Sequence, residues 1–189
     1  MALAEHRQGG SQRQHLLFIA LGSGIGAGLI VSGQLYRGSA AAAGEIGYSL
    51  LPGLYEAPLQ LGLPGPLERH LLGWSSAFLG PDGTLDLSSA LARARFEDFV
   101  AAFHLIVHNL ACLLNPEALV LRWPADPRGE LLAALRARWI GPLPLALEGA
   151  RLGSEGALKG ASQLALAALE RELCRNPRWS LQRRTGALA

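Results

Sequence analysis

The sequence has few cysteines and no long uninterrupted apolar run. Its 189 residues include only Cys112 and Cys174 and no CxxC pair, so neither a disulfide framework nor a cysteine zinc site is predicted. The most apolar stretch, Leu16 to Val31, is interrupted by four glycines and is shorter than the roughly 20 residues of a membrane-spanning helix. No signal-peptide pattern opens the chain. We therefore predict no membrane segment and a reducing, cytoplasmic location.

Charge is also scarce. The formal net charge is +2, and only 17% of the residues are charged, which is too mild a balance to predict a nucleic-acid surface. Much of the positive excess lies near the end of the chain, where residues 176–189 are expected to form a basic C-terminal tail. The hydrophobic content of 50% is enough to bury one sizeable core, so a single lobe or domain is predicted.

Apolar periodicity predicts a mixed α/β structure. Apolar residues recur at helical spacing between Phe96 and Leu114, which predicts a long central packing helix. Before it, His15–Leu21 and Ala27–Val31 have the pattern of strands joined by a glycine turn. After it we expect a strand at 118–121, a helix at 127–138, a strand at 143–147 and a helix at 157–174. The last helix begins with small residues, which favours close packing on a sheet.

The segment from Gly22 to Gly28 is dense in glycine. Such a backbone can turn with positive φ and present several N–H groups to an anion, and Ser23 can add a hydroxyl, so a phosphate cradle is one interpretation. The spacing also fits a dinucleotide-binding fingerprint, but that motif requires a helix directly after the glycines, and a strand is predicted here instead. A tight hairpin without a ligand remains the alternative.

Four segments together resemble one family. LGSGIGAGLIVSGQLYRGSAAAAGEIGY runs from Leu21 to Tyr48, GPLE from Gly65 to Glu68, LNPE from Leu114 to Glu117, and ALKGAS from Ala157 to Ser162. These motifs resemble those of the ROK family, which comprises sugar-responsive repressors and sugar kinases with an actin-like ATPase fold. The form of these motifs found here, which lacks the zinc ligands of other members, is most similar to the transcriptional regulators of the family.

The resemblance implies a fold and a set of site residues. Residues 1–175 are expected to form an α/β lobe of the actin-like ATPase (ribonuclease H-like) fold of a ROK sugar kinase, a mixed sheet with helices on its faces, with the N-terminal lobe missing. No catalytic residue is assigned. The implied sugar-binding residues are Gly44, Glu45, Tyr48 and Glu68, and the implied vestigial phosphate-binding residues are Ser23, Gly24 and Gly26.

Three departures from the family pattern bear on function. Tyr48 replaces the histidine of zinc-binding members, and the cysteine cluster of those members is absent, so no metal is expected. Arg122 and Trp123 replace a glycine pair that lets the nucleotide approach the backbone in kinases, which argues against an ATP site there. The catalytic aspartate of the family precedes a helix that resembles Met1–His6, so we expect a truncated chain that is not a working kinase alone.

These departures favour the sugar-binding effector region of a transcriptional regulator. The alternative is the C-terminal half of an ATP-dependent, glucokinase-like sugar kinase, which would use ATP and Mg²⁺; otherwise no cofactor is expected. A relic without a ligand is the third interpretation. The expected partners are a small sugar and a second copy bound through this lobe, with no membrane and with DNA contacted only through a domain absent from this chain.

His104 and His108 stand four residues apart in the predicted central helix. This spacing can place two metal ligands on one helix face. The pair adjoins the apolar stripe and lacks the glutamate of an HExxH motif, so packed histidines at the edge of the core are expected instead.

Overall fold

The structure is a computed structural model that describes residues 1–9, 13–51, 62–140 and 144–175. The predicted basic tail at 176–189 lies outside the described residues. The helices are α1 (Ala2–Gln8), α2 (Pro66–Ser75), α3 (Ala90–Leu114), α4 (Glu130–Arg138) and α5 (Glu155–Arg175), and a short 3-10 helix spans Ile46–Tyr48. The strands are β1 (Leu16–Leu21), β2 (Ile25–Val31), β3 (Gln34–Tyr36), β4 (Ala118–Arg122) and β5 (Ala146–Gly149).

The strands form one mixed sheet in the order β3-β2-β1-β4-β5. The first three strands are antiparallel neighbours, whereas β4 runs parallel to both β1 and β5. Leu17 in β1 is paired with Leu29 in β2 and with Leu119 in β4. The turn between β2 and β3 uses positive φ at Ser32 and Gly33, as a tight hairpin requires. The predicted mixed sheet with helices on its faces is confirmed.

The two faces of the sheet bury different amounts of apolar surface. Side chains alternate between faces along a strand, so Leu17 and Ile19 join α2, α3 and α4 in one large apolar cluster. Leu16 and Phe18 point the other way and join α1 in a small cluster, against which Leu164 of α5 also packs. We call these the α3 face and the α1 face of the sheet.

The long helix α3 is the predicted central packing helix. It begins after Ser89, whose hydroxyl accepts a hydrogen bond from the N–H of Ala92 at 3.0 Å, and it ends at Asn115 with φ +43°. By length and composition, α3 is the one helix among the described residues that could cross a membrane. Its stripe is nevertheless buried in the same cluster as the sheet, as expected of a core helix; the stripe comprises Phe96, Phe99, Val100, Phe103, Ile106 and Val107.

Several predicted boundaries were wrong, each for a local reason. Helix α4 begins at Glu130 and not at residue 127, because Gly129 has φ +74° and the Asp126 carboxylate accepts hydrogen bonds from the N–H groups of Glu130 and Leu131. Helix α2 was not predicted. It starts directly at Pro66, which suits the first helical position because it has no N–H to satisfy.

Three further differences concern β2, β5 and α5. Strand β2 begins at Ile25, two residues earlier than predicted. Strand β5 covers Ala146–Gly149, and residue 143 of the predicted strand lies outside the described part of the chain. Helix α5 packs mainly on α1, which in turn contacts β2, and not mainly on the sheet as predicted. The approach is close: a methyl group at Gly160 would lie 2.9 Å from the backbone nitrogen of Met1.

Candidate functional site

The glycine segment forms the tight connection between β1 and β2. Leu21 and Ile25 are paired across it, and the N–H of Gly22 donates to the carbonyl of Gly24 at 2.9 Å. Ser23 is exposed at the tip. Because a strand and not a helix follows, the dinucleotide interpretation is excluded by the structure. The hairpin is observed, and the phosphate-binding role of its residues remains a prediction.

Glu68, in the first turn of α2, lies against this hairpin. Its Oε1 accepts a hydrogen bond from the N–H of Ile25 at 3.3 Å, and a side chain at Gly24 would collide with its carboxylate. Gly24 therefore permits the close approach of Glu68. Gly26 has no such role, because an added methyl group there would meet no atom within 4 Å. The structure thus brings two of the predicted site residues, Gly24 and Glu68, into contact.

The GEIGY segment is anchored to β2 by Gly44. The N–H of Ala27 donates to the carbonyl of Gly44 at 2.8 Å, and Gly44 has φ +97°. A side chain at Gly44 would collide with the carbonyl of Ala27, so glycine is required on both conformational and steric grounds. Gly44 therefore positions the backbone that carries Glu45, which precedes the 3-10 helix and is exposed.

The two predicted sugar-binding carboxylates lie on elements that pack against each other. A methyl group at Gly47, in the 3-10 helix, would lie 3.3 Å from Cβ and 3.4 Å from Oε2 of Glu68. Gly65, which precedes α2, approaches Gly47 so closely that a side chain would collide with the Gly47 carbonyl. The 3-10 helix that follows the exposed Glu45 thus packs against the helix that carries the half-buried Glu68.

The Tyr48 hydroxyl forms hydrogen bonds with the segment that leads into α2. It donates to the carbonyl of Leu63 at 2.8 Å and accepts a hydrogen bond from the N–H of Gly62 at 3.0 Å. These bonds give the hydroxyl a structural role, and contact with a sugar remains a prediction. Within the described ranges, no group of three or more His, Cys, Asp or Glu side chains could hold a metal ion. Residues 52–61, where part of the zinc cluster would fall, lie outside those ranges.

A small cavity lies beneath the hairpin, between Gly24, Glu68 and Trp123. Its volume of about 30 Å³ is enough for a water molecule and too small for a sugar ring. Trp123 closes it from below, with its ring stacked on Phe99 at a centroid distance of 5.5 Å and edge-on to Phe78 at 6.2 Å. A sugar would therefore have to bind outside this cavity.

The histidine pair on α3 packs beside Trp139. The ring centroids of His104 and His108 are 5.8 Å apart, and His108 is 5.3 Å from Trp139. The pKa of His104 is lowered by burial and by the positive charges of His108 and Arg138. His104 Nε2, His108 Nδ1 and Trp139 Nε1 are buried without a hydrogen-bond partner. The arrangement agrees with the expected packed histidines, since no third metal ligand joins the pair among the described residues.

Sequence reasoning missed a second group of polar residues. Arg122 ends β4, and Arg151 follows β5; the carboxyl ends of parallel strands lie at one edge of a sheet, which is where open α/β sheets bind ligands. Recognising β4 and β5 as parallel neighbours would have brought the two arginines together. Glu5 was also missed. It is 3% exposed and accepts hydrogen bonds from the N–H groups of Arg151 and Leu152 at 2.6 and 3.1 Å.

The chain is similar to proteins of one family. The model of the ROK family matches residues 1–66. A glucokinase of Halalkalibacterium halodurans is 26% identical over 69% of this chain and 48% of its own length. The xylose repressor of Staphylococcus xylosus is 26% identical over 60% of this chain and 32% of its own length. The chain therefore spans about a third to a half of the length of these relatives.

The solved ROK hexokinase of Thermus thermophilus resembles the described structure. The two superimpose with a TM-score of 0.69 at 27% identity, over 90% of this chain and 63% of the hexokinase. The described residues thus form an α/β lobe of the actin-like ATPase fold found in sugar kinases. The family match over residues 1–66 and the shared fold agree with the ROK resemblance that the motifs predicted. The chain's relatives include both a kinase and a repressor.

Proposed function

We propose that this chain is a sugar-binding lobe that serves as the effector region of a ROK transcriptional regulator. The observation that carries the proposal is the packing of the GEIGY 3-10 helix on α2, where Gly47 lies against Glu68. The contact joins the element that follows Glu45 to the helix that carries Glu68, and we propose that both carboxylates face one bound sugar. A small sugar is the proposed ligand, and a cytoplasmic location and pairing with a second copy through this lobe belong to the same proposal.

The chemistry of the two carboxylates supports a polyol ligand. An ionised carboxylate only accepts hydrogen bonds, through four lone-pair sites, and bonds from hydroxyls to a charged acceptor are stronger than neutral ones. The bond from the N–H of Ile25 uses one of these sites on Glu68. The remaining capacity of Glu68, together with the exposed Glu45, suits adjacent hydroxyls of a sugar ring.

Trp123 supports the regulator over the kinase. Its ring lines the small cavity beneath the hairpin and stacks on Phe99, at the position where kinase members are expected to have glycine. We therefore propose that this lobe binds sugar without needing ATP. In this role DNA would be bound by another domain, and none of the described residues is proposed to contact it.

A kinase lobe is the second candidate. The similarity to the Thermus hexokinase over 90% of the chain favours it, and so does the glucokinase relative. In that case ATP and Mg²⁺ would be required, and this lobe would contribute the sugar-binding glutamates and the hairpin.

Thermal unfolding in the presence of sugars tests the binding site. We expect glucose or xylose at millimolar concentration to raise the melting temperature of the 189-residue chain, because a ligand present at a hundredfold excess over its Kd stabilises the folded state by about 2.7 kcal/mol. Glu45→Ala should abolish the shift. Glu170→Ala, which removes an exposed glutamate from α5, is the matched control and should keep it. A shift that survives in both Glu45→Ala and Glu68→Gln would contradict the assigned site.

A second measurement separates the two candidates. The regulator predicts that the sugar shift is the same with and without Mg²⁺-ATP and that no ADP forms when sugar is added. Sugar-dependent ADP formation by the chain, lost in Glu45→Ala, would instead establish the kinase role.

A further inference from the structure

One side-chain hydroxyl joins the 3-10 helix that follows Glu45 to the segment that leads into α2. Tyr48 ends that 3-10 helix, and its hydroxyl bonds to residues 14 and 15 positions further along the chain. It accepts from the N–H of Gly62 at 3.0 Å and donates to the carbonyl of Leu63 at 2.8 Å. Because a phenol hydroxyl can donate and accept at once, it restrains the segment 62–65 at two successive residues.

The segment 62–65 is also held at its other end. Gly65 lies so close to the carbonyl of Gly47 that a side chain there would collide with it. The guanidinium group of Arg69, in α2, donates to the carbonyl of Pro64 at 2.5 Å, and its backbone N–H donates to the carbonyl of Gly65 at 2.9 Å. The start of α2 is therefore fixed relative to the 3-10 helix through this short segment.

The carboxylate of Glu68 depends on where α2 starts, because Glu68 lies in the first turn of that helix. Its Oε1 accepts from the N–H of Ile25 at 3.3 Å, which is already at the long end of hydrogen-bond distances. Its Oε2 would lie 3.4 Å from a methyl group at Gly47. A small displacement of the helix start would break the bond to Ile25, so the carboxylate is sensitive to how the segment 62–65 is held.

We propose that Tyr48 is a positioning residue of the sugar site. Its hydroxyl holds the segment 62–65, and through it the start of α2, so that the Glu68 carboxylate is in place before the ligand arrives. This inference rests on the proposed sugar-binding function, and it gives Tyr48 a role that needs no contact with the sugar. A preorganised carboxylate loses less conformational freedom on binding. By linkage, a sugar bound to Glu68 in turn stabilises the hydrogen bonds of Tyr48.

Amide hydrogen exchange in the 189-residue chain, followed by nuclear magnetic resonance, tests the positioning without a ligand. Tyr48→Phe removes the hydroxyl and keeps the ring. We expect the Ile25 amide, which donates to Glu68, to exchange about tenfold faster, since a hydrogen bond to a charged group contributes on the order of a factor of ten. Amides in the middle of α3 should not change, because the core stays folded. Tyr36→Phe is the matched control, since Tyr36 is 55% exposed on β3, and it should leave Ile25 unaffected.

A double-mutant cycle shows whether Tyr48 acts through Glu68. In Glu68→Ala the Ile25 amide has lost its acceptor, so adding Tyr48→Phe should not accelerate its exchange further. A merely structural loss at Tyr48 would accelerate it in both backgrounds. With glucose or xylose as the ligand, Tyr48→Phe should raise the Kd about tenfold, and Tyr36→Phe should leave it unchanged. In the unaltered chain the same sugar should slow exchange of the Gly62 amide.

Three results would overturn the proposal. They are an Ile25 amide that exchanges at the same rate in Tyr48→Phe and in the unaltered chain, an equal acceleration in Tyr36→Phe, and a further acceleration when Tyr48→Phe is added to Glu68→Ala. A failure of the proposed function has a different signature. In that case the unaltered chain binds no sugar, while the loss of Ile25 protection in Tyr48→Phe still shows that the hydroxyl positions Glu68.

Discussion

The two faces of the sheet are built in different ways. Among the described residues, the α3 face contains 23 buried apolar residues in one cluster, whereas the α1 face contains six. The two long helices show the same contrast: α3 buries nine of its 25 residues, and α5 buries only Gly156 and Gly160 of its 21. Apolar burial is the main favourable contribution to folding, so most of the stability should come from the α3 face.

The α1 face relies instead on close backbone approach and on one buried charge. Gly28 and Ala2 are so near that a methyl group at Gly28 would lie 2.5 Å from Cβ of Ala2. Glu5 then connects α1 to the loop after β5. This construction contributes less apolar burial, but it positions the loop that follows β5. The comparison indicates that one face mainly stabilises the lobe and that the other mainly fixes a loop at the edge of the sheet.

Removing a large side chain from the α3 face should have the largest effect. Phe103 is fully buried, and Phe103→Ala is expected to lower the free energy of unfolding by about 3–5 kcal/mol through lost burial and a residual cavity. Urea denaturation followed by circular dichroism measures the change. Leu113→Ala on the same helix is the control, because Leu113 is 80% exposed; it should change stability by less than about 0.5 kcal/mol. A loss below about 1 kcal/mol for Phe103→Ala would contradict the assignment of the main core to this face.

The α1 face should respond less strongly, and through a polar group. Glu5→Ala leaves the N–H groups of Arg151 and Leu152 without their partner, at a cost of about 1–3 kcal/mol. The same urea titration measures it, with Glu170→Ala as the control. If Glu5→Ala were as damaging as Phe103→Ala, the α1 face would contribute as much stability as the apolar core, and the comparison would fail.

The α3 face was more predictable from sequence than the α1 face. Helical spacing of apolar residues marks α3, and a short continuous apolar run marks β1, because these patterns reflect burial of side chains along a single element. The position of α5 could not be inferred in this way. Its small residues predicted close packing, but whether α1 or the sheet lies beneath Gly160 depends on the three-dimensional arrangement.

The same limit applies to the candidate sites. The glycine, GEIGY and GPLE segments drew attention to Gly24, Glu45 and Glu68, and in the structure a methyl group at Gly24 would lie against the Glu68 carboxylate. The cleft that Arg122 and Arg151 line at the ends of β4 and β5 has no such local motif. Arg122 and Arg151 are 29 positions apart in the sequence and meet only because β4 and β5 are parallel neighbours. Long-range juxtaposition of this kind requires the topology.

Lowering the pH to mildly acidic values should cause the smallest of these losses of stability. The loss should arise from His104, at the edge of the α3 face. Unfolded histidine binds a proton near pH 6.5, whereas burial and the charges of His108 and Arg138 lower the pKa of folded His104. The unfolded state therefore gains protons first, and stability present above about pH 6.5 declines as the pH falls below it. We expect a lower urea midpoint at about pH 5.5 than at about pH 7.5, and a smaller difference in His104→Gln. Asp82 and Asp86, whose pKa values are lowered by hydrogen bonds, remain ionised throughout this range. An unchanged difference in His104→Gln would assign the decline to other groups, such as His70, whose pKa is also lowered by burial.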